Sequence, residues 1–336
     1  MKKVVGFGDF LLRLSPPGCQ RFLQAASFDV FYTGAEANTL AALSLEGVPA
    51  EFVTRLPDSL IGECALAHLR RFGVGTEHIV RGGERIGAFY LEKGASQRPS
   101  RVVYDRRHTA FAESAPADYD WDAILDGAGW FHFTGITPAL GPELPAICRE
   151  ACKAARAHGL TVSCDLNYRS QLWDREIAGR TLRSLAPYAD VLVGGAWDAA
   201  ALLGADLPDG PADTPEANER AARSLAETYG FRDIAFTMRR CDSASDNGWR
   251  AMLYREGTAF FSRGYEIHLV DRVGGGDAFT AGLIGASLRG YGAQRAVEYA
   301  AAAGCLKQTI EQDFNLSCHD EIEALAAGDG SGRIRR

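Results

Sequence analysis

Short apolar runs rich in β-branched and aromatic residues alternate along the chain with longer segments of helical periodicity. Val4–Phe7, Glu51–Arg55, Trp130–Thr134, Thr161–Asp165, Val191–Val193 and Ile234–Met238 predict strands. Gly34–Gly47, Ser59–Gly73, Glu143–His158, Ile177–Leu185 and Ala199–Leu203 predict the helices between them. Strand and helix in regular alternation point to βαβ units: an α/β domain with a mostly parallel sheet covered by helices. On such sheets ligands bind at the carboxyl ends of the strands. Two stretches, about 10–33 and 86–111, break the rhythm with strand-like alternation and no intervening helix, as in AFYL at Ala88–Leu91 and RVVY at Arg101–Tyr104. They predict a small β-sheet inserted twice into a single domain spanning residues 1–336, placed as a water-excluding lid. Leu207–Asn218, rich in Pro, Asp and Gly, predicts a surface loop, and Gly328–Arg336 a frayed tail.

Composition narrows the function classes. With 24% charged and 46% apolar residues the balance is that of an ordinary soluble protein. A formal net charge of −7 argues against nucleic acid as the main partner but leaves room for a small anionic substrate at a local positive cluster. No run reaches the ~18 apolar residues of a membrane span. The basic start MKK leads into an apolar run interrupted by Asp9 and Arg13, which predicts a buried strand rather than a signal peptide. The eight cysteines are scattered, with no C-x-x-C; Cys148 and Cys152 have no His or Cys partners at ligand spacing. Reduced thiols and a cytoplasmic location follow.

The chemistry concentrates in Val270–Leu283 (VDRVGGGDAFTAGL). A strand-like stretch ends, three glycines follow, and a small-residue helix begins at about Asp277. Glycine lets backbone amides approach a ligand, and a helix N-terminus favours an anion. Phosphoryl transfer needs such donors, because charge spreads over the equatorial oxygens of the transition state. Asp277 then sits where its carboxylate can take a proton from an attacking hydroxyl. The same residue is also a good helix N-cap. Asp277→Asn separates the two readings, since it keeps a cap and removes a base.

The segment Asp271–Asp277 (DRVGGGD) resembles the D-T-x-G-A-G-D signature of the PfkB family of carbohydrate kinases. Thr33–Asn38 (TGAEAN) resembles that family's early G-G-x-x-x-N element, with Gly34 and Asn38 in place and Thr33 replacing the first glycine. The resemblance implies a ribokinase-like three-layer α/β/α fold with a β lid. It implies ATP and Mg²⁺, leaves a monovalent cation open, and suggests a homodimer paired through the lid. It assigns the amides of Gly274, Gly275 and Gly276 to an anion hole, Asp277 to the base, and Asp198, Arg239 and Asp271 to the nucleotide side; direct metal ligands stay unassigned. Within the family, Phe131–Leu140 (FHFTGITPAL) and Asp165–Trp173 (DLNYRSQLW) are similar to 2-keto-3-deoxygluconate kinases. That likeness implies Gly34, Asn38, Tyr90, Tyr104, Arg106, Asn167 and Arg169 as substrate-binding residues. An acid substrate suits arginine, which offers a permanent charge and a planar fork. Taken singly, Arg106 in DRRH could be a solvated charge cluster, Arg169 could pair with Asp165 or Asp174, and the tyrosines could simply pack. Arg13 stands where ribokinases and fructokinases carry an Asp for sugar hydroxyls, which favours an acid over a neutral ketose.

Three departures bear on the nucleotide side. Gly195 and Asp198 replace the N-x-x-E pattern, though Asp198 can still order a hydrated Mg²⁺. The nucleotide loop aligns with Thr237–Trp249, where Arg239 or Arg240 could meet phosphates or the segment could be a surface turn. Arg272 replaces the signature Thr, and Glu311–Asn315 could line the nucleotide or substrate pocket but is expected to be an ordinary turn. The leading expectation is a 2-keto-3-deoxygluconate kinase forming the 6-phosphate. The alternatives are a fructokinase or other neutral-ketose kinase, and a non-catalytic sugar or nucleotide sensor on the same fold. A dinucleotide-binding reading rests on Gly6-x-Gly8 alone, with Leu11 where the last glycine of G-x-G-x-x-G would stand.

Overall fold

The computed structural model describes residues 1–332; of the expected C-terminal tail, residues 333–336 lie outside the described residues. The strands are β1 (Lys3–Phe7), β2 (Leu11–Ser15), β3 (Asp29–Thr33), β4 (Ala50–Val53), β5 (Arg55–Leu56), β6 (Val80–Arg81), β7 (Gly87–Glu92), β8 (Arg101–Asp105), β9 (Ala128–Thr134), β10 (Thr161–Asp165), β11 (Val191–Gly194), β12 (Asp233–Cys241), β13 (Asp246–Arg255), β14 (Thr258–Phe261) and β15 (Tyr265–His268). The helices are α1 (Ala35–Leu45), α2 (Leu60–Arg71), α3 (Trp121–Leu125), α4 (Leu144–Ala157), α5 (Arg175–Leu185), α6 (Ala196–Leu203), α7 (Pro215–Tyr229), α8 (Gly275–Leu288), α9 (Ala293–Lys307) and α10 (His319–Ala326).

The main sheet runs β14-β13-β12-β11-β10-β9-β1-β4, with β15 also paired to β13. From β4 to β12 neighbouring strands are parallel; the far edge is antiparallel. Parallel strands buried on both faces read as near-continuous apolar runs, as in VVGF of β1 and VLV of β11. Two large cores fill the two sides of this sheet, one around Phe131, Leu192 and Ile234, the other around Phe52, Phe279 and the alanines of α9. A second sheet, β3-β2-β7-β8, is the predicted lid; its strand β8 alternates between exposed and half-buried residues.

Two expectations change. The predicted loop Leu207–Asn218 ends early, because α7 starts at Pro215 with the Thr214 side chain capping the amide of Ala217. The segment Thr237–Trp249, expected as a loop, is the end of β12, a tight turn and the start of β13. No helix of the described residues is long and apolar enough to cross a membrane.

Candidate active site

Parallel strands place their carboxyl ends along one edge of the main sheet, and the residues that follow them form one wall of a cleft of about 600 Å³. Asp165, Asn167 and Arg169 come from the end of β10, Gly194, Gly195 and Asp198 from β11 and the first turn of α6, and Thr237 and Arg239 from β12. The opposing wall is the inner face of the lid, with Leu11, Phe89, Val102, Tyr104 and Arg106. The floor is the glycine turn leading into α8. Gly274 adopts φ +82°, and a Cβ there would lie 2.0 Å from the carbonyl oxygen of Asp313. Only glycine fits that left-handed, crowded position. The first amides of α8 have no acceptor within the helix, and Gly274 and Gly276 line the cleft. Gly275 is absent from the cleft lining, and a Cβ there would stand 3.0 Å from the Gln308 side chain.

Asp277, in the first turn of α8, lines the cleft and is 9% exposed. Burial pushes its carboxyl up to about 7, opposed by a hydrogen bond from Asn38 and reinforced by the charge of Asp165. Asn38 Nδ2 donates to Asp277 Oδ2 at 2.7 Å. The Thr33 hydroxyl lies 2.9 Å from Asn38 Oδ1 and 2.6 Å from Asp313 Oδ2. Gly34, ahead of α1, packs so closely on Asp9 that a Cβ would lie 2.1 Å from its carbonyl oxygen. Buried Glu36 pins α1 to the end of β9, accepting from the amide of Thr134 at 2.9 Å and the hydroxyl of Thr137 at 2.6 Å. The Asp277 carboxylate is thus held by a chain of side chains reaching back to the lid strand β3.

Three sequence assignments land elsewhere. Tyr90 points to the outer face of the lid, where its ring meets Phe28 at 6.0 Å, because side chains on β7 alternate and Phe89 takes the cleft side. Asp271 is absent from the cleft lining; its carboxylate is buried in an ion pair with Arg13. Arg13 also pairs with Asp313, so its guanidinium is spent inside the protein and is not offered to a substrate. Arg106 does line the cleft, and Asp9 takes its Nε (3.2 Å) and Nη2 (2.9 Å). Arg169 pairs with neither Asp165 nor Asp174; it donates to the carbonyl of Tyr168, and its charge acts on Asp165, Asp198 and Asp277. Arg239 stacks over the Trp249 ring at 5.4 Å and lies with Arg272 on the same wall. The structure thus brings together Gly34, Asn38, Tyr104, Arg106, Asn167, Arg169, Asp198, Arg239, Gly274, Gly276 and Asp277.

Sequence reasoning passed over Asp165, whose carboxyl burial pushes up to about 7, and Asp313. The position of Asp165 at a strand end was a usable signal. Asp313 sits in Glu311–Asn315, preferred as an ordinary turn, and the alternative that this segment lines the pocket is the one the structure favours. For a divalent metal, Asp198 is half-buried, faces the cleft and has no ion pair among the described residues, and burial raises its pKa. No group of three or more His, Cys, Asp or Glu able to hold a metal occurs among the described residues. One or two carboxylates suffice for Mg²⁺ that keeps its waters and is shared with phosphates, so the site fits that ion in that form.

A sequence profile of pfkB family carbohydrate kinases matches residues 1–312. A 2-dehydro-3-deoxygalactonokinase of Haloferax volcanii is 34% identical over 98% of this chain and 98% of its own. A 2-dehydro-3-deoxygluconokinase of Bacillus subtilis is 27% identical over 87% of this chain and 85% of its own. Among solved structures, a 2-dehydro-3-deoxygluconokinase from Thermotoga maritima is 50% identical, covers 98% of this chain and 100% of its own, and superposes with a TM-score of 0.95.

Proposed function

This chain belongs to the PfkB family of carbohydrate kinases, and from that premise we propose that it transfers the γ-phosphoryl group of ATP to the primary hydroxyl of a sugar acid. The substrate we infer is 2-keto-3-deoxygluconate, giving ADP and the 6-phosphate. The observation that carries this reading is the Asp277 carboxylate, facing the cleft beside the open amides of the glycine turn.

Asp277, ionised, takes the proton of the substrate hydroxyl as that oxygen attacks phosphorus. One P–O bond forms, the bond to the β-phosphate oxygen breaks, and ADP leaves. The amides at the start of α8 face the equatorial oxygens and take up the charge that develops there. Asp198 would hold a hydrated divalent ion, which would supply positive charge beside the phosphates. Asn38 keeps the carboxylate aimed. The lid excludes water, so that the γ-phosphoryl group meets a sugar and not a water molecule.

An acid substrate is supported by the cations of the cleft. Asp9 engages Arg106 through Nε and Nη2, which leaves Nη1 for a carboxylate, and Tyr104 lies beside it with its ring 5.5 Å from the guanidinium. Arg169 is a further cation without an ion pair among the described residues. Arg239 and Arg272 line the same cleft and would meet the phosphates. The sugar acids named for the two relatives, of the galactonate and gluconate series, differ only in configuration at C4, so the 4-epimer is the second acid we consider. A homodimer through the lid is supported by the outer lid face, where Val30 and Val103 are more than half exposed. The free cysteines suit a reducing cytoplasm.

The test is ADP release over a panel of sugar acids and neutral ketoses. Turnover of 2-keto-3-deoxygluconate should exceed that of fructose at least about 100-fold in kcat/KM, because a site built for a charged group rejects the analogue without it. Arg106→Ala should raise KM for the acid by about tenfold or more, the worth of a charged hydrogen bond, and leave fructose unaffected. Equal use of fructose and the acid would favour a neutral-ketose kinase instead.

A further inference from the structure

Beneath the glycine turn lies a buried ammonium that the phosphoryl-transfer chemistry above does not use. Lys307 is the last residue of α9 and is fully buried. Its Nζ donates to the carbonyl of Asp271 at 3.1 Å and to that of Ile310 at 3.2 Å. Its Cε would lie 3.1 Å from a Cβ at Gly274, so the stem of the lysine packs against the turn itself. No ion pair involving Lys307 occurs among the described residues; its ligands are main-chain oxygens.

Backbone carbonyls converging on a compact charge are the coordination that a dehydrated monovalent cation takes. An ammonium supplies the same charge on a tether, and the C-terminal end of α9 favours a cation at this point. Charge balance supports the protonated form. Burial lowers the pKa of Lys307, and the charges of Asp271 and Asp313 oppose that fall; Arg13, paired with both of these buried carboxylates, compensates one of the two charges. Two acids and two cations leave the cluster neutral, whereas a neutral lysine would leave a buried negative charge under the phosphate site.

We propose that Lys307 is the resident monovalent cation of the anion hole: a positioning residue that fixes the glycine turn from below and makes the enzyme independent of added potassium. The proposal rests on reading that turn as the phosphoryl site. It predicts that wild-type kcat is the same, within about twofold, in potassium, sodium and tetramethylammonium chloride at fixed ionic strength, the last ion being too large for a carbonyl cage. Lys307→Ala in tetramethylammonium should lose about tenfold or more in kcat with little change in KM for the sugar acid, as expected when anion-hole donors are misplaced. Potassium, ammonium or methylammonium should restore most of that loss, and potassium should raise the melting temperature of the variant but not of the wild type. Lys307→Met, whose side chain fills the same space, should lose activity without rescue.

Several-fold activation of the wild type by potassium would overturn the proposal, as would full activity of either variant in tetramethylammonium or an Ala variant that no cation restores. Should the Ala variant fail to fold, the wild-type titration and Lys307→Met decide. Absence of turnover by the wild type in every salt would instead overturn the kinase reading itself, which separates the two failures.

Discussion

The behaviour of Asp277 follows from its surroundings. Burial favours the protonated carboxyl, which raises its pKa from the usual carboxylate range to about 7. The base must be ionised to act, so kcat/KM should fall as pH drops below about 7, with an acid limb that a solvent-exposed Asp would place near 4. The Asn38 hydrogen bond favours the charged form, so Asn38→Ala should move the limb to higher pH while lowering kcat. An unchanged limb would show that Asn38 does not orient the base. Linkage gives a second outcome. A folded pKa above the unfolded one means that ionisation opposes folding, and the opposition grows from about pH 4 until it levels off above about pH 7. Asp277→Asn should therefore raise the melting temperature at pH 8, by an amount that shrinks as pH falls toward 4. Asp277 was legible because its signal is local: three glycines ahead of a helix. The roles of Arg13 and Asp271 were not, because a 258-residue separation hides their mutual ion pair from any reading of neighbours.

At the level of elements, the turn before α8 and the lid do the positioning. The left-handed backbone at Gly274 costs an L-residue about 1–3 kcal/mol, before the overlap with the Asp313 carbonyl is counted. Gly274→Ala should lower stability by at least that amount in chemical denaturation and depress kcat more than Gly276→Ala, since a Cβ at Gly276 meets nothing within 4 Å. Equal effects of the two substitutions would contradict a strained turn. The parallel strands and their helices were legible from periodicity, and the lid from the loss of it. Helix α7 was obscured because its Thr214-Pro215 cap closes a Pro- and Asp-rich stretch that reads as loop. Strand β13 was obscured by a family expectation of a nucleotide loop, although Arg239 still reaches the cleft from β12. Tyr90 failed by one residue of register, which on a strand exchanges one face for the other.

For the molecule as a whole, lid and body meet through the buried Arg13, Asp271 and Asp313 cluster, with Lys307 closing its charge balance. The outer lid face carries Phe28, Val30 and Val103, all exposed. Light scattering should give twice the 36.2 kDa chain mass, and Val30→Asp should return it to the monomer. A wild-type monomer would remove the lid-paired dimer. The fold class and the position of the glycine turn were within reach of the sequence, whereas the pairing of cleft charges depends on how distant segments close together. The central claim, that an aspartate at a glycine-lined helix start removes the substrate proton, is tested most directly by ADP release from 2-keto-3-deoxygluconate and ATP at pH 8 with Asp277→Asn. The expected result is a loss in kcat of about 10³-fold or more with cooperative unfolding retained. A folded variant within about tenfold of wild type would contradict it.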